Sequence, residues 1–154
     1  MRDGDRMHRR NLLIGVVGGI ISGIFLGLFL KGLEDWTSIR VYTLLLNIDY
    51  IPWLNSYKFP EIIEFGLHVI ISIVLSVILI FYFGRKPLSQ KSLILRVMWV
   101  GLTVGLLLYP TTSLSDRTPE MTDFAALFLW LIGHVLYGLL LGLLIAYKPR
   151  RWRL

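Results

Sequence analysis

Four stretches of this 154-residue chain are apolar for long enough to cross a lipid bilayer as helices. A spanning helix needs about 20 largely apolar residues in a row. The first stretch, 11–30, holds no charge. The second, 62–83, contains Glu64 and His68. The third, 93–109, is shorter and carries Arg96 near its start. The fourth, 124–147, contains only His134. A soluble bundle would need a polar stripe on every helix, and the first and fourth stretches have none. The expected fold is therefore all-α: a polytopic membrane protein forming one compact four-transmembrane-helix bundle over 1–154. The composition agrees, at 55% hydrophobic residues and a mean hydropathy of +0.67. The start, MRDGDRMHRRN before an apolar run, superficially resembles a signal peptide. The run is too long for one and no A-x-A site follows, so a retained first helix is expected.

The charges set an orientation. Of the 16 Lys and Arg residues, twelve flank the helices on one side. They are Arg2, Arg6, Arg9 and Arg10, then Arg85, Lys86, Lys91 and Arg96, then Lys148, Arg150, Arg151 and Arg153. Lys31, Arg40, Lys58 and Arg117 lie on the other side with eight of the ten acids. The positive-inside rule then places both termini in the cytoplasm and the protein in the plasma (inner) membrane. The same basic face suits anionic lipid headgroups. The basic residues flank helices and form no interleaved patch, so no nucleic-acid partner is expected.

The first outer loop is long, 31–59, and holds Trp36, Tyr42, Tyr50, Trp53, Tyr57 and Phe59. Aromatic residues concentrate at headgroup level. Its middle, IRVYTLLLNI, is too short to span. Over 39–48 it reads as an interfacial helix lying flat over the bundle, or as a shallow re-entrant segment.

In the first span Gly15, Gly19, Gly23 and Gly27 recur every four residues, and Gly18 and Ser22 widen that smooth face. Gly101 and Gly105 repeat the device in the third span, and Gly138 and Gly142 in the fourth. Ser72 and Ser76 do so in the second. Lipid removes the hydrophobic gain from helix association, so close approach at small residues takes its place. These faces imply intramolecular packing. A homo-oligomer through the first span is the alternative.

The second and fourth spans share a pattern. PEIIEF from Pro60 is matched by PEMTDF from Pro119, and HVIIS from His68 by HVLYG from His134. At about 100° per residue, Glu61, Glu64, His68, Ser72 and Ser76 fall on one helix face. Glu120, Asp123, His134, Gly138 and Gly142 do the same on the fourth span. A duplicated two-helix hairpin would explain this, as would constraints common to any inward-running helix. His68 lies ~12 Å below its helix start. Ionisable groups at that depth face the bundle interior or a wet cavity. Glu64, His68 and His134 are thus the candidate intramembrane polar site.

The plainer reading of that site is neutral imidazoles tying helices together. The sharper one is a proton or small-ion site, with a Glu64–His68 pair one turn apart. Two imidazoles and a carboxylate could bind zinc, but no H-x-x-x-H or H-E-x-x-H spacing occurs, so no metal or other cofactor is expected. With no cysteine, disulfides and thiolate chemistry are excluded. There is no G-x-S-x-G elbow, P-loop or dinucleotide fingerprint, so no catalytic residue is assigned.

The glycine-rich first span, the long aromatic loop, the Glu64-x-x-x-His68 entry to span two and the Gly133–His134 pair resemble small bacterial inner-membrane proteins of the YagU type. The resemblance implies location and topology and carries no chemistry. The expected function is a non-enzymatic multi-pass protein of structural, accessory or signalling type, with a membrane-protein partner or homo-oligomer possible. The alternative is a small transporter or proton-coupled carrier working through the Glu/His stripe.

Overall fold

A computed structural model describes residues 3–48, 57, 59–84 and 86–147. Of the residues weighed above, Arg2, Tyr50, Trp53, Lys58, Arg85 and the basic residues after Tyr147 lie outside the described residues. Among the described residues five α-helices follow one another: α1 Asp3–Thr37, α2 Val41–Leu46, α3 Glu61–Gly84, α4 Gln90–Leu108 and α5 Phe124–Ala146. A 3-10 segment, Tyr109–Leu114, prolongs α4. Four of these helices are long and apolar enough to cross a membrane, and no strand occurs among the described residues.

Local chemistry sets the helix ends. Ser89 caps α4 by accepting from the Ser92 N–H at 3.2 Å. Asp123 caps α5 by accepting from the Ala126 N–H at 3.0 Å. Both are favoured cap types because a short side-chain oxygen reaches an otherwise unpaired donor. Pro60 immediately precedes α3, where its missing N–H costs nothing. Pro110 interrupts α4, and the chain tightens into the 3-10 segment that completes the third span.

The spans pair as two hairpins. α1 packs along α3, α4 packs along α5, and the hairpins join where α1 meets α5. α3 and α4 make almost no contact with each other. The central pair is the more buried, with 39% of the most apolar stretch of α1 and 44% of that of α5 enclosed, against 22% for each flanking helix. α1 is 35 residues long, about 52 Å, well beyond the ~30 Å hydrocarbon core.

The IRVYTLLLNI segment is one short helix, α2, laid over the end of the bundle away from the termini. Val41, Leu44 and Leu46 are buried against the spans. Ser38, at φ 62°, turns the chain back from α1. Glu34 on α1 then supplies the cap that α2 lacks. Its Oε2 accepts from the Tyr42 and Thr43 N–H groups at 2.7 and 2.9 Å, and its Oε1 from the Thr43 hydroxyl at 2.8 Å. The carboxylate also suits the positive end of the helix. The Tyr42 hydroxyl donates to Glu61 Oε1 at 2.8 Å, and Lys31 meets the same oxygen at 2.6 Å. Burial, helped by the Glu61 carboxylate, pushes the Tyr42 phenol far above its usual range.

The two PE-x-x-x-F segments play different parts, which corrects the proposed match of helix starts. Glu61 and Glu64 lie within α3, whereas Glu120 and Asp123 precede α5 and do not share a helical face with His134. The cause is the Asp123 cap, reinforced by the Tyr109 hydroxyl, which donates to the Asp123 carbonyl at 2.8 Å.

Candidate functional site

The glycines decide how near the helices approach. A Cβ on Gly19 would lie 2.5 Å from Ile73 Cα, one on Gly15 3.0 Å from Val77 Cα, and one on Gly23 2.9 Å from Ser72 Cβ. On Gly27 it would collide with the Phe65 ring. The whole α1 stripe is therefore spent on α3. Gly101 and Gly138 face each other across α4 and α5, where a Cβ on Gly101 would lie 3.1 Å from Gly138 Cα. One on Gly142 would come within 3.0 Å of Ile94 Cα. Gly105 makes room for a side chain, since its Cβ would stand 2.6 Å from His134 Cγ.

A helix without side chains along one face also uncovers its carbonyls. Three of the inward polar side chains end on those oxygens. Ser72 donates to Gly19 O at 2.8 Å. His68 Nε2 lies 3.2 Å from Gly23 O. Trp130 Nε1 donates to Gly105 O at 2.8 Å. The small residues and the polar residues are one device, in which the glycine admits the neighbour and its carbonyl then holds it.

Glu64, His68 and His134 all line a single cavity of about 80 Å³ in the middle of the bundle. Leu26 of α1 and Val104 of α4 contribute walls, and Leu44 and Leu45 of α2 cover its end. His134 is buried, with Nδ1 2.9 Å from the Trp130 carbonyl. The Tyr137 and Ser72 hydroxyls meet at 3.0 Å on the same wall.

The expected Glu64–His68 pair is not formed. Glu64 is buried, and both its oxygens are taken by Arg117, whose two terminal nitrogens stand at 3.1 and 3.3 Å. A guanidinium fork matches a carboxylate edge, and imidazole offers only one donor per ring nitrogen. Arg117 comes from the loop between the 3-10 segment and α5, where sequence reasoning counted it only as an orientation charge. The available signal was an acid inside an apolar run, which demands a cation from somewhere. Neither Trp130 nor the hydroxyl of Tyr137 is named above as a site group; the available signal is that buried Tyr and Trp need partners for their polar tips.

Glu64 also lines a second cavity, of about 340 Å³, at the α2 end of the bundle. Lys31, Glu34, Asp35, Glu61 and Arg117 share that space. The Glu64–Arg117 pair thus stands between a charged vestibule and the histidine cavity. Among the described residues, no three His, Cys, Asp or Glu side chains gather around a point where they could hold a metal ion.

No protein-family model, curated protein or solved structure matches this chain.

Proposed function

We propose that the chain is a non-enzymatic multi-pass protein of the plasma membrane, of structural, accessory or signalling type, with both termini cytoplasmic. The observation that carries this reading is the way the polar side chains are used. His68, Ser72 and Trp130 each bind a glycine carbonyl of the neighbouring helix, and His134 binds a carbonyl of its own. The Ser72 hydroxyl is held by Gly19 and Tyr137, so it is not poised against an imidazole. Interhelical bonds of this kind stabilise membrane bundles by about 0.6 kcal/mol each, and up to ~2. The glycine faces are occupied within the chain, so a partner or second copy would dock elsewhere. Anionic headgroups are the natural neighbours of the basic ends.

One observation favours a small carrier instead. Glu64, His68 and His134 line one cavity, and Glu64 also borders the vestibule. Reconstituted vesicles loaded with a pH-sensitive dye separate the two readings. The structural reading expects no protein-dependent proton flux at any pH, and lower thermal stability for His68→Ala and His134→Ala. A flux that those substitutions abolish without loss of stability would replace it with the carrier.

A further inference from the structure

The histidine cavity has a hydrogen-bonding character that follows from the bonds around it. His68 Nε2 faces the Gly23 carbonyl, which can only accept, so the proton sits on Nε2. A neutral ring then carries a lone pair on Nδ1. His134 has the opposite tautomer by the same argument. Its Nδ1 faces the Trp130 carbonyl, which leaves the lone pair on Nε2. Ser72 has a single hydroxyl proton and gives it to Gly19 O, so the Tyr137 hydroxyl must donate to Ser72. That leaves an acceptor lone pair on Tyr137 as well. Neither histidine's second nitrogen bonds any described residue, and His134 is only 4% exposed. The Trp130 proton is already spent on Gly105. His68, His134, Tyr137 and Ser72 therefore present acceptors to the shared space, while Asn47, which also lines it, contributes an amide with both donor and acceptor atoms.

The three acceptors on His68, His134 and Tyr137 suit a ligand that brings several donors. The approach favours positive charge too. The vestibule carries Glu34, Asp35, Glu61 and Glu64 against Lys31 and Arg117. Aromatic rings of Trp130 and Tyr137 line the inner cavity, and such rings attract compact cations. The volume, about 80 Å³, suits a few heavy atoms. With no cluster of three metal-ligating side chains among the described residues, a coordinated divalent ion is poorly served.

We propose that the cavity between His68 and His134 is a binding site for ammonium or a small primary amine, entering from the vestibule past the Glu64–Arg117 pair. The N–H donors of such a ligand match His68 Nδ1, His134 Nε2 and Tyr137 Oη. This goes beyond the structural role proposed above and does not depend on it.

The two ring nitrogens of each histidine allow a clean test. His68→Gln keeps a donor where Nε2 reaches Gly23 and deletes the Nδ1 acceptor. His134→Asn keeps a donor where Nδ1 reaches Trp130 and deletes the Nε2 acceptor. Both variants retain the tie and remove the site. Purified full-length protein labelled with ¹⁵N at histidine is titrated with ammonium, with methylammonium and, as a control of like charge without donors, with potassium. Saturable shifts of the unprotonated ring nitrogens of His68 and His134 are expected with ammonium or methylammonium and not with potassium. Each variant should weaken binding about tenfold or more, as expected for a lost bond to a charged donor. Thermal stability of the two variants is measured alongside, and Tyr137→Phe serves as a third probe should either fail to fold. An equal response to potassium, no response in the native protein, or binding undiminished in folded His68→Gln and His134→Asn would each overturn the proposal.

Discussion

Arg117 reaches Glu64 across 53 residues of sequence and engages both carboxylate oxygens, at 3.1 and 3.3 Å. The two side chains are unequal in setting. The Glu64 side chain is 4% exposed and that of Arg117 is 49% exposed. The buried acid therefore depends on the arginine more than the arginine depends on the acid. The contact pins the loop before α5 onto the first turn of α3, and so links the two hairpins at the α2 end.

Removing the cation should cost more than removing the acid. Arg117→Ala strands a buried carboxylate, a change that costs roughly 3 kcal/mol when a buried pair is broken from one side. Glu64→Gln leaves a neutral amide and should cost clearly less. Reversible unfolding in mixed detergent, run on both single variants and the double, measures the coupling. Equal costs, or a double variant worse than Arg117→Ala, would contradict the dependence.

The α1 stripe makes a sharp contrast among glycines. At Gly19 a Cβ would strike the α3 backbone at 2.5 Å, whereas at Gly32 nothing lies within 4 Å. Gly19→Leu should destabilise the bundle by more than ~3 kcal/mol, since overpacking against backbone cannot relax. Gly32→Ala should be neutral or stabilising, by up to ~1 kcal/mol, because glycine weakens a helix interior. Thermal aggregation of the solubilised variants orders them. A tolerated Gly19→Leu would mean that α1 does not lie on α3 in this register.

Ser72 and Tyr137 differ in how many ties they make. Ser72 bonds both Gly19 O and Tyr137, at 2.8 and 3.0 Å, and among the described residues the Tyr137 hydroxyl bonds Ser72 alone. Ser72→Ala should therefore cost more than Tyr137→Phe, about 1 kcal/mol against about 0.6. The double variant should cost less than the sum, since both singles break the same bond. Strict additivity in a double-mutant cycle would show that the hydroxyls are not paired.

Topology is checked from outside the bundle. A reporter fused after Leu154, or inserted in the 85–91 loop, should behave as cytoplasmic, and one near Ser115 as external. An external C-terminus would overturn the charge argument for orientation.

The number of spans and the all-helical class were legible in the chain, because a bilayer demands length and apolarity from each helix separately. Those are local properties, and the four apolar runs display them without reference to one another. The inward placement of His68 and His134 was legible for the same reason, since burying an ionisable group in lipid is costly for the single helix that carries it. The small-residue faces could be read from their spacing of four. Which face meets which could not. The Gly19 stripe lies on α3 and the Gly101 stripe on α5 only because whole helix surfaces fit. The partner of Glu64 was equally hidden. An acid one turn before a histidine suggests a pair, but a bidentate guanidinium from a distant loop satisfies the carboxylate better. The start of α5 misled in a similar way, because PEMTDF reads as a helix opening until Asp123 is seen to cap Ala126. Sequence determines what each segment must bury. Tertiary structure decides which oxygen, nitrogen or glycine carbonyl receives it, because hydrogen bonds and close contacts depend on distances that only the assembled bundle sets.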